Sequence, residues 1–208
     1  MKNLKDTATV PCYYLLFMLS FFACSAHEKN ASELLAYLKK EQNGLNVHGN
    51  AGDFTLQAQY EPIDCLIAKQ KRSDNIKKVE YLDMKKELEG LQYFTVNLGT
   101  SLRGTNIANY ETTDEAEIQK RLYYLSFKMQ KDFKLVEGSD TLPCRLYHFE
   151  KMNDFANVKT ISLAFDKRTE GNDKDKTLIV DSPLLNSEPI KLNFDIKNIK
   201  NIPPLKTL

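Results

Sequence analysis

The feature that most constrains this chain is a run of short alternating segments in its second half. Residues 125–130, 133–136, 144–150, 158–165, 177–180 and 190–196 each place apolar side chains at every second position, the period of a half-buried strand. Between them lie turn-rich pieces such as Glu137-Gly138-Ser139-Asp140 and Gly171-Asn172-Asp173-Lys174-Asp175. Parallel pairing needs a crossover helix between strands, and no segment after residue 125 combines helical length with apolar 3.6-residue periodicity. The pattern therefore predicts an α+β chain built on a mainly antiparallel sheet or a two-layer β-sandwich, with its helices inserted in the N-terminal half.

That first half reads as alternating element types. Asn30 and Glu33 are placed for a capping box ahead of a short helix carrying Leu34, Leu35 and Leu38, which Gly44 stops. Phe54, Leu56, Ala58 and Tyr60 alternate with polar residues as a strand over 54–60. Pro62 suits the first turn of a helix over 62–70 with Ile63, Leu66 and Ile67 as its stripe. Asp74 or Asn75 opens a charged helix burying Tyr81, Met84 and Leu88 and ending at Gly90. A strand over 93–98 follows, then a long loop from Gly99 to Asn109. Thr112 and Glu115 have capping-box spacing for a fourth helix bearing Ile118 and Leu122. Asn201 to Leu208, with Pro203-Pro204, predicts a non-helical tail.

Residues 1–23 are of a different character. Lys2 and Lys5 precede the apolar run Tyr13 to Ala23, and the polar stretch from Ser25 to Asn30 follows. The run is about half of the ~20 residues a membrane-spanning helix requires, so it reads as an export signal. Its end, Ser20-Phe21-Phe22-Ala23-Cys24, resembles the lipobox of bacterial lipoproteins. That resemblance, which covers the N-terminal segment alone, implies cleavage before Cys24, diacylglycerol on its thiol, and residues 24–30 as a tether to a single domain over 31–208. Two or three acyl chains hold a protein at a membrane where one does not, since each buried methylene contributes about 0.8 kcal/mol. The other reading of the segment is an ordinary secretory signal cleaved near Ala26. Attachment at the outer membrane of a cell envelope is the expected location.

Charge narrows the partners. Removing residues 1–23, which hold Lys2, Lys5 and Asp6, leaves 27 basic and 27 acidic side chains. No basic stripe with interleaved aromatics is present, so nucleic acid is not an expected partner. Proteins of the envelope are.

The reactive side chains form no recognised motif. Cys65 and Cys144 invite a disulfide in an oxidising compartment, and serve equally as two buried thiols. Cys144 as a nucleophile with His148 is disfavoured, because four residues along a strand span about 13 Å. His148 and Glu150 share one strand face and could act as an acid/base or metal pair; with Asp64 they form the best available pocket for an enzyme reading. No His-Glu-x-x-His motif supports a metal, and Asp173 and Asp175 lack EF-hand spacing. Gly99-Thr100-Ser101-Leu102-Arg103-Gly104 lacks the lysine and helix start of a phosphate loop, so no cofactor is expected. Without tryptophan, a sugar site would have to rest on tyrosine platforms. Asp140-Thr141-Leu142 resembles a short acceptor motif for O-linked glycosylation in bacterial envelope proteins, on Thr141. The reading these features favour is a lipid-anchored accessory or binding protein; the alternative is an envelope enzyme whose site is assembled from residues distant in sequence.

Overall fold

Alternation in the sequence becomes two antiparallel sheets whose apolar faces meet. The computed structural model describes residues 27–150, 157–168 and 173–208. The signal 1–23, Cys24 with the tether to residue 26, and the Gly171-Asn172 part of the expected turn lie outside the described residues. One sheet has the order β1 (Asn46–Ala51), β2 (Phe54–Glu61), β3 (Leu91–Thr100), β7 (Lys159–Asp166), β6 (Leu146–Phe149). The other runs β5 (Asp140–Pro143), β4 (Phe133–Glu137), β8 (Lys176–Val180), β9 (Ile190–Phe194). Every strand pairing within these two sheets is antiparallel.

Phe54, Leu56 and Ala58 from β2, with Phe94, Val96 and Leu98 from β3, point to the same core as Leu135, Leu178 and Leu192 of the second sheet. Burial of each such large side chain contributes about 1.5–3 kcal/mol. Phe94 is the aromatic hub, meeting Tyr60, Phe165 and Phe194 edge-on at 5.3, 5.8 and 5.3 Å between ring centroids. Where β1 faces β9, the sheets approach closely at Gly49. A Cβ there would lie 2.8 Å from both Ile190 Cγ2 and Leu192 Cδ2.

A second apolar cluster is helical. It joins α1 (Ala31–Leu38), α2 (Ile63–Lys71) and α3 (Lys78–Leu88) through Leu34, Leu38, Cys65, Ile67 and Tyr81, with Leu205 of the tail. Asn30 and Glu33 form the expected capping box on α1. Asp74 does not open α3. Its carboxylate instead accepts from Ser32 N and Ser32 Oγ, both at 2.7 Å, fastening α1 to the turn before α3. Tyr60 and Ile199 pack against both clusters and so couple the helices to the sandwich.

Three further expectations need correction. The strand expected over 125–130 is helical: α4 runs Glu115–Phe127 and a 3-10 turn follows over Met129–Asp132. The segment carries both periods, and the spacing that places Leu125 and Met129 fully inside is the helical one, continuing the stripe from Leu122. Asp114, not Thr112, caps α4, accepting from Ala116 N at 3.0 Å, while Thr112 Oγ1 accepts from Asp114 N. Asp140 belongs to β5, because the turn is a tight hairpin over Gly138-Ser139 with Gly138 at φ 61°. Polar β1 gave no strand signal, having one paired neighbour in its sheet and an outer face of Asn46, His48 and Asn50. The tail is non-helical as expected, after a short α5 (Ile196–Lys200) capped by Asp195.

Candidate functional site

Asp64, His148 and Glu150 do not converge. His148 lies exposed on β6, the edge strand, opposite Ser162, and Glu150 follows it with its backbone N–H donated to Thr160. Asp64 sits in the first turn of α2, beyond the end of β2. Strands β3 and β7 intervene between β2 and β6, a separation of about 14 Å at ordinary strand spacing. The three-residue pocket of the enzyme reading is therefore not formed.

Cys65 and Cys144 are both free thiols, each buried in a different one of the two apolar clusters, so no bridge joins them. Burial raises the Cys65 thiol well above its ordinary range, with Glu61 and Asp64 adding to the effect and Lys69 opposing it. Cys144 is pushed up to about 11, chiefly by burial, against hydrogen bonds to the backbone of Ala164 and Leu146. Neither thiol has the lowered pKa of an activated nucleophile. Thr141 is exposed on edge strand β5. Asp173 pairs with Lys200 at 2.6 Å and Asp175 accepts from Ile196 N at 2.9 Å. Among the described residues, no cluster of three His, Cys, Asp or Glu side chains is placed to hold a metal.

Asp64 belongs to a different constellation. Where β2 runs into α2, the chain leaves a groove of about 280 Å³ against the first residues of β3 and the C-terminal tail. Its apolar walls come from Pro62, Ile63, Ile199, Ile202, Pro203 and Pro204. Its other lining residues are the acids Glu61 and Asp64, the lysines Lys85 and Lys167, and Tyr60, Gln92 and Tyr93.

The acceptors are held from behind. Glu61 is only 2% exposed; its Oε1 accepts from Lys69 Nζ at 2.6 Å and Thr95 Oγ1 at 2.9 Å. Its Oε2 has no hydrogen-bond partner among the described residues. Asp64 Oδ1 accepts from the Tyr81 hydroxyl at 2.9 Å, and Oδ2 from Leu205 N at 2.9 Å, which ties the tail over the groove. No cation pairs with Asp64 among the described residues. Gln92 Nε2 donates to Glu137 Oε1 at 2.9 Å and to the Asp166 carbonyl at 3.0 Å, leaving its Oε1 unpartnered. Behind Gln92, Glu137 and Lys176 form an ion pair with side chains 1% and 4% exposed. Burial, reinforced by Glu137, pushes the Tyr60 hydroxyl up to about 12, and burial with Asp64 raises Tyr81 further, so both phenols keep their protons.

Glu61, Gln92, Glu137 and Lys176 escaped the sequence reading, yet three of them carried a signal. Gln92 is in phase with Phe94, Val96 and Leu98, Glu137 with Phe133 and Leu135, and Lys176 with Leu178 and Val180. A polar residue at an in-phase core position requires a partner inside. Nothing in the sequence pairs these three with one another.

Buried polar atoms without partners are rare and call for an explanation in ligand, ion or water. Two such atoms, Glu61 Oε2 and Gln92 Oε1, lie near the groove on opposite faces of the five-stranded sheet, Glu61 with Tyr93 and Thr95 and Gln92 with the core between the sheets, and neither is open to it. The groove itself offers apolar walls, Asp64, and lysines that make no ion pair among the described residues. Such a site can bind and orient. It presents no activated nucleophile. Comparison with protein-family models, curated proteins and solved structures finds no match for this chain.

Proposed function

We propose that the chain is a lipid-anchored lipoprotein of the bacterial cell envelope, attached at the outer membrane through Cys24, that binds a small molecule in the groove beside Asp64. The observation that carries the binding reading is the groove itself, where Asp64, held by the two neutral donors Tyr81 and Leu205 N, shares an apolar-walled lining with Lys85 and Lys167, which make no ion pair among the described residues. The membrane reading rests on the lysine-flanked apolar run and the Ser20-Phe21-Phe22-Ala23-Cys24 pattern. No described helix is long and apolar enough to cross a membrane.

The first described residues lie beside the groove. Lys29 N donates to the Pro204 carbonyl at 3.0 Å and Lys206 N to the Lys29 carbonyl at 2.8 Å, while Pro204 is itself a groove wall. Lys29 is five positions after Cys24, at most about 18 Å of extended chain. A lipid on Cys24 keeps the groove close to the headgroups.

A partner-binding reading has one observation of its own. Tyr123 and Phe127 on α4 are 55% and 63% exposed and pack together at 5.2 Å. An exposed aromatic pair suits a protein interface.

Two measurements test the proposal. Mass spectrometry of the N-terminal peptide from cells should find acylated Cys24, and Cys24→Ser should move the protein out of the membrane fraction. Native mass spectrometry of the mature protein should show a bound small molecule that Ile63→Trp, which fills the groove, removes. An unmodified thiol at position 24 refutes the anchor; a protein that carries and accepts no small molecule refutes the groove.

A further inference from the structure

We propose that the outer face of α3 is the surface on which the protein rests against the phospholipid headgroups around its anchor, an inference that depends on Cys24 being acylated. The inward stripe of α3 is Tyr81, Met84 and Leu88, which pack into the helical cluster. Val79 and Leu82 lie outside that stripe, 70% and 50% exposed. Single exposed apolar residues are ordinary, but these two stand three positions apart on one helix and share a face. At about 100° per residue, Val79, Lys78, Lys85 and Lys86 all fall within about 60° of Leu82, whereas the helix acids Glu80, Asp83 and Glu87 lie about 100° or more away. Glu80 is also occupied by Lys71 at 2.7 Å. Lys78 and Lys85 border the face, their Nζ atoms 6.0 and 5.5 Å from the centroid of the Tyr81 ring.

What covers this face follows from where the tether leaves the fold. Lys29 forms a β-bridge with Leu205, and Lys206 N donates to the Lys29 carbonyl at 2.8 Å. Farther along the tail, Leu208 N donates to the Ile76 carbonyl and Lys78 N to the Leu208 carbonyl, both at 2.9 Å. Main-chain bonds thus stitch the anchor-bearing segment, the tail and the first turn of α3 together, which places Lys78 within about 20 Å of Lys29 at ordinary strand dimensions. The tether from Cys24 has about the same reach, so an acyl chain there brings this face to the bilayer surface. The headgroup layer suits both parts of the face. Apolar side chains enter the boundary between headgroups and acyl chains. Lysines lay their methylene stems along it and set their ammonium groups on lipid phosphate.

The test is lysine footprinting, acetylation read by mass spectrometry, on the acylated protein reconstituted into vesicles of phosphatidylethanolamine and phosphatidylglycerol. Lys78 and Lys86 should react roughly fivefold more slowly there than the same lysines of the vesicle-free Cys24→Ser protein. The variant Val79→Glu/Leu82→Glu, still acylated, changes two exposed positions and should bring both lysines to within about twofold of the free rate. A parent protein whose Lys78 and Lys86 react in vesicles at the free rate overturns the proposal, whatever the variant does. Slowing that the double substitution leaves intact overturns it as well, because proximity to the bilayer and not the apolar pair is then the cause. Slowing seen in whole cells and absent in vesicles assigns the face to a protein partner and has the same effect. If Cys24 of the protein recovered from cells carries no lipid, the anchor reading falls and takes this one with it. An acylated protein with unprotected lysines leaves the anchor standing and removes the resting surface alone.

Discussion

Lys176→Met is the sharpest probe of the polar interior behind the groove. Lys176 and Glu137 sit side by side with side chains 4% and 1% exposed, so neither charge is screened by solvent. Removing the ammonium leaves the Glu137 carboxylate with one donor, Gln92 Nε2 at 2.9 Å. Breaking a buried pair from one side costs about 3–5 kcal/mol, because the surviving charge stays desolvated. At about 2–4 °C per kcal/mol for a chain of this size, the melting temperature should fall by roughly 6–20 °C. Glu137→Leu alone should cost a similar amount by stranding the lysine. The double variant Glu137→Leu/Lys176→Met has no buried charge left, and Gln92 Nε2 keeps the Asp166 carbonyl at 3.0 Å as its acceptor. Its stability should therefore return to within about 1 kcal/mol of the parent, as replacements of buried pairs by apolar residues often do. Urea denaturation followed by circular dichroism on the four proteins gives the coupling energy, expected to exceed about 3 kcal/mol. A Lys176→Met cost below about 1 kcal/mol, the worth of an exposed pair, would refute the reasoning. So would a double variant whose loss equals the sum of the singles.

Acid stability should report the clasp between α1 and the turn before α3. Hydrogen bonds from the Ser32 side chain and then its backbone hold the Asp74 carboxyl below the usual aspartate range, so the clasp is fully formed above the ordinary value of about 3.9 and is lost as pH falls through the lowered one. Ser32→Ala should raise the Asp74 pKa in a carboxyl NMR titration and open a stability gap at pH 6 that closes at low pH; an unchanged titration rules out the hydroxyl as the cause. At the contact between the sheets, Gly49→Val should cost about 1–3 kcal/mol by overpacking against Ile190 and Leu192. Because valine favours a strand over glycine, propensity alone would raise stability, so a Gly49→Val protein as stable as the parent or more so would refute the overpacking.

How much of this was legible in the sequence depends on whether the deciding interaction is periodic. Strands β2, β3, β7 and β8 were readable because their inward side chains repeat every two residues, and the packing that fixes them is the pattern itself. Helix α4 shows the limit. Leu125-Ser126-Phe127-Lys128-Met129 satisfies both periods, and what decides is that Leu122, Leu125 and Met129 continue a stripe already begun, which a short window does not see. Strand β1 fails for another reason: Asn46-Val47-His48-Gly49-Asn50-Ala51 is chosen by what it faces, since a larger residue than glycine at position 49 would collide with β9, some 140 residues later. The buried polar cluster behind the groove follows the same logic one step further. Gln92, Glu137 and Lys176 each stand in phase with a core face, so the sequence announces three polar residues inside and withholds which of them meet. Their pairing is set by β4 lying beside β8 and by Gln92 reaching from one sheet to the other, contacts 39 and 45 residues apart. Asp64 carried no phase signal at all; it matters because the tail returns 141 residues later to donate Leu205 N to it. Polar residues that keep step with an apolar face are thus the readable trace of an interior site, and the partner each one finds is a property of topology.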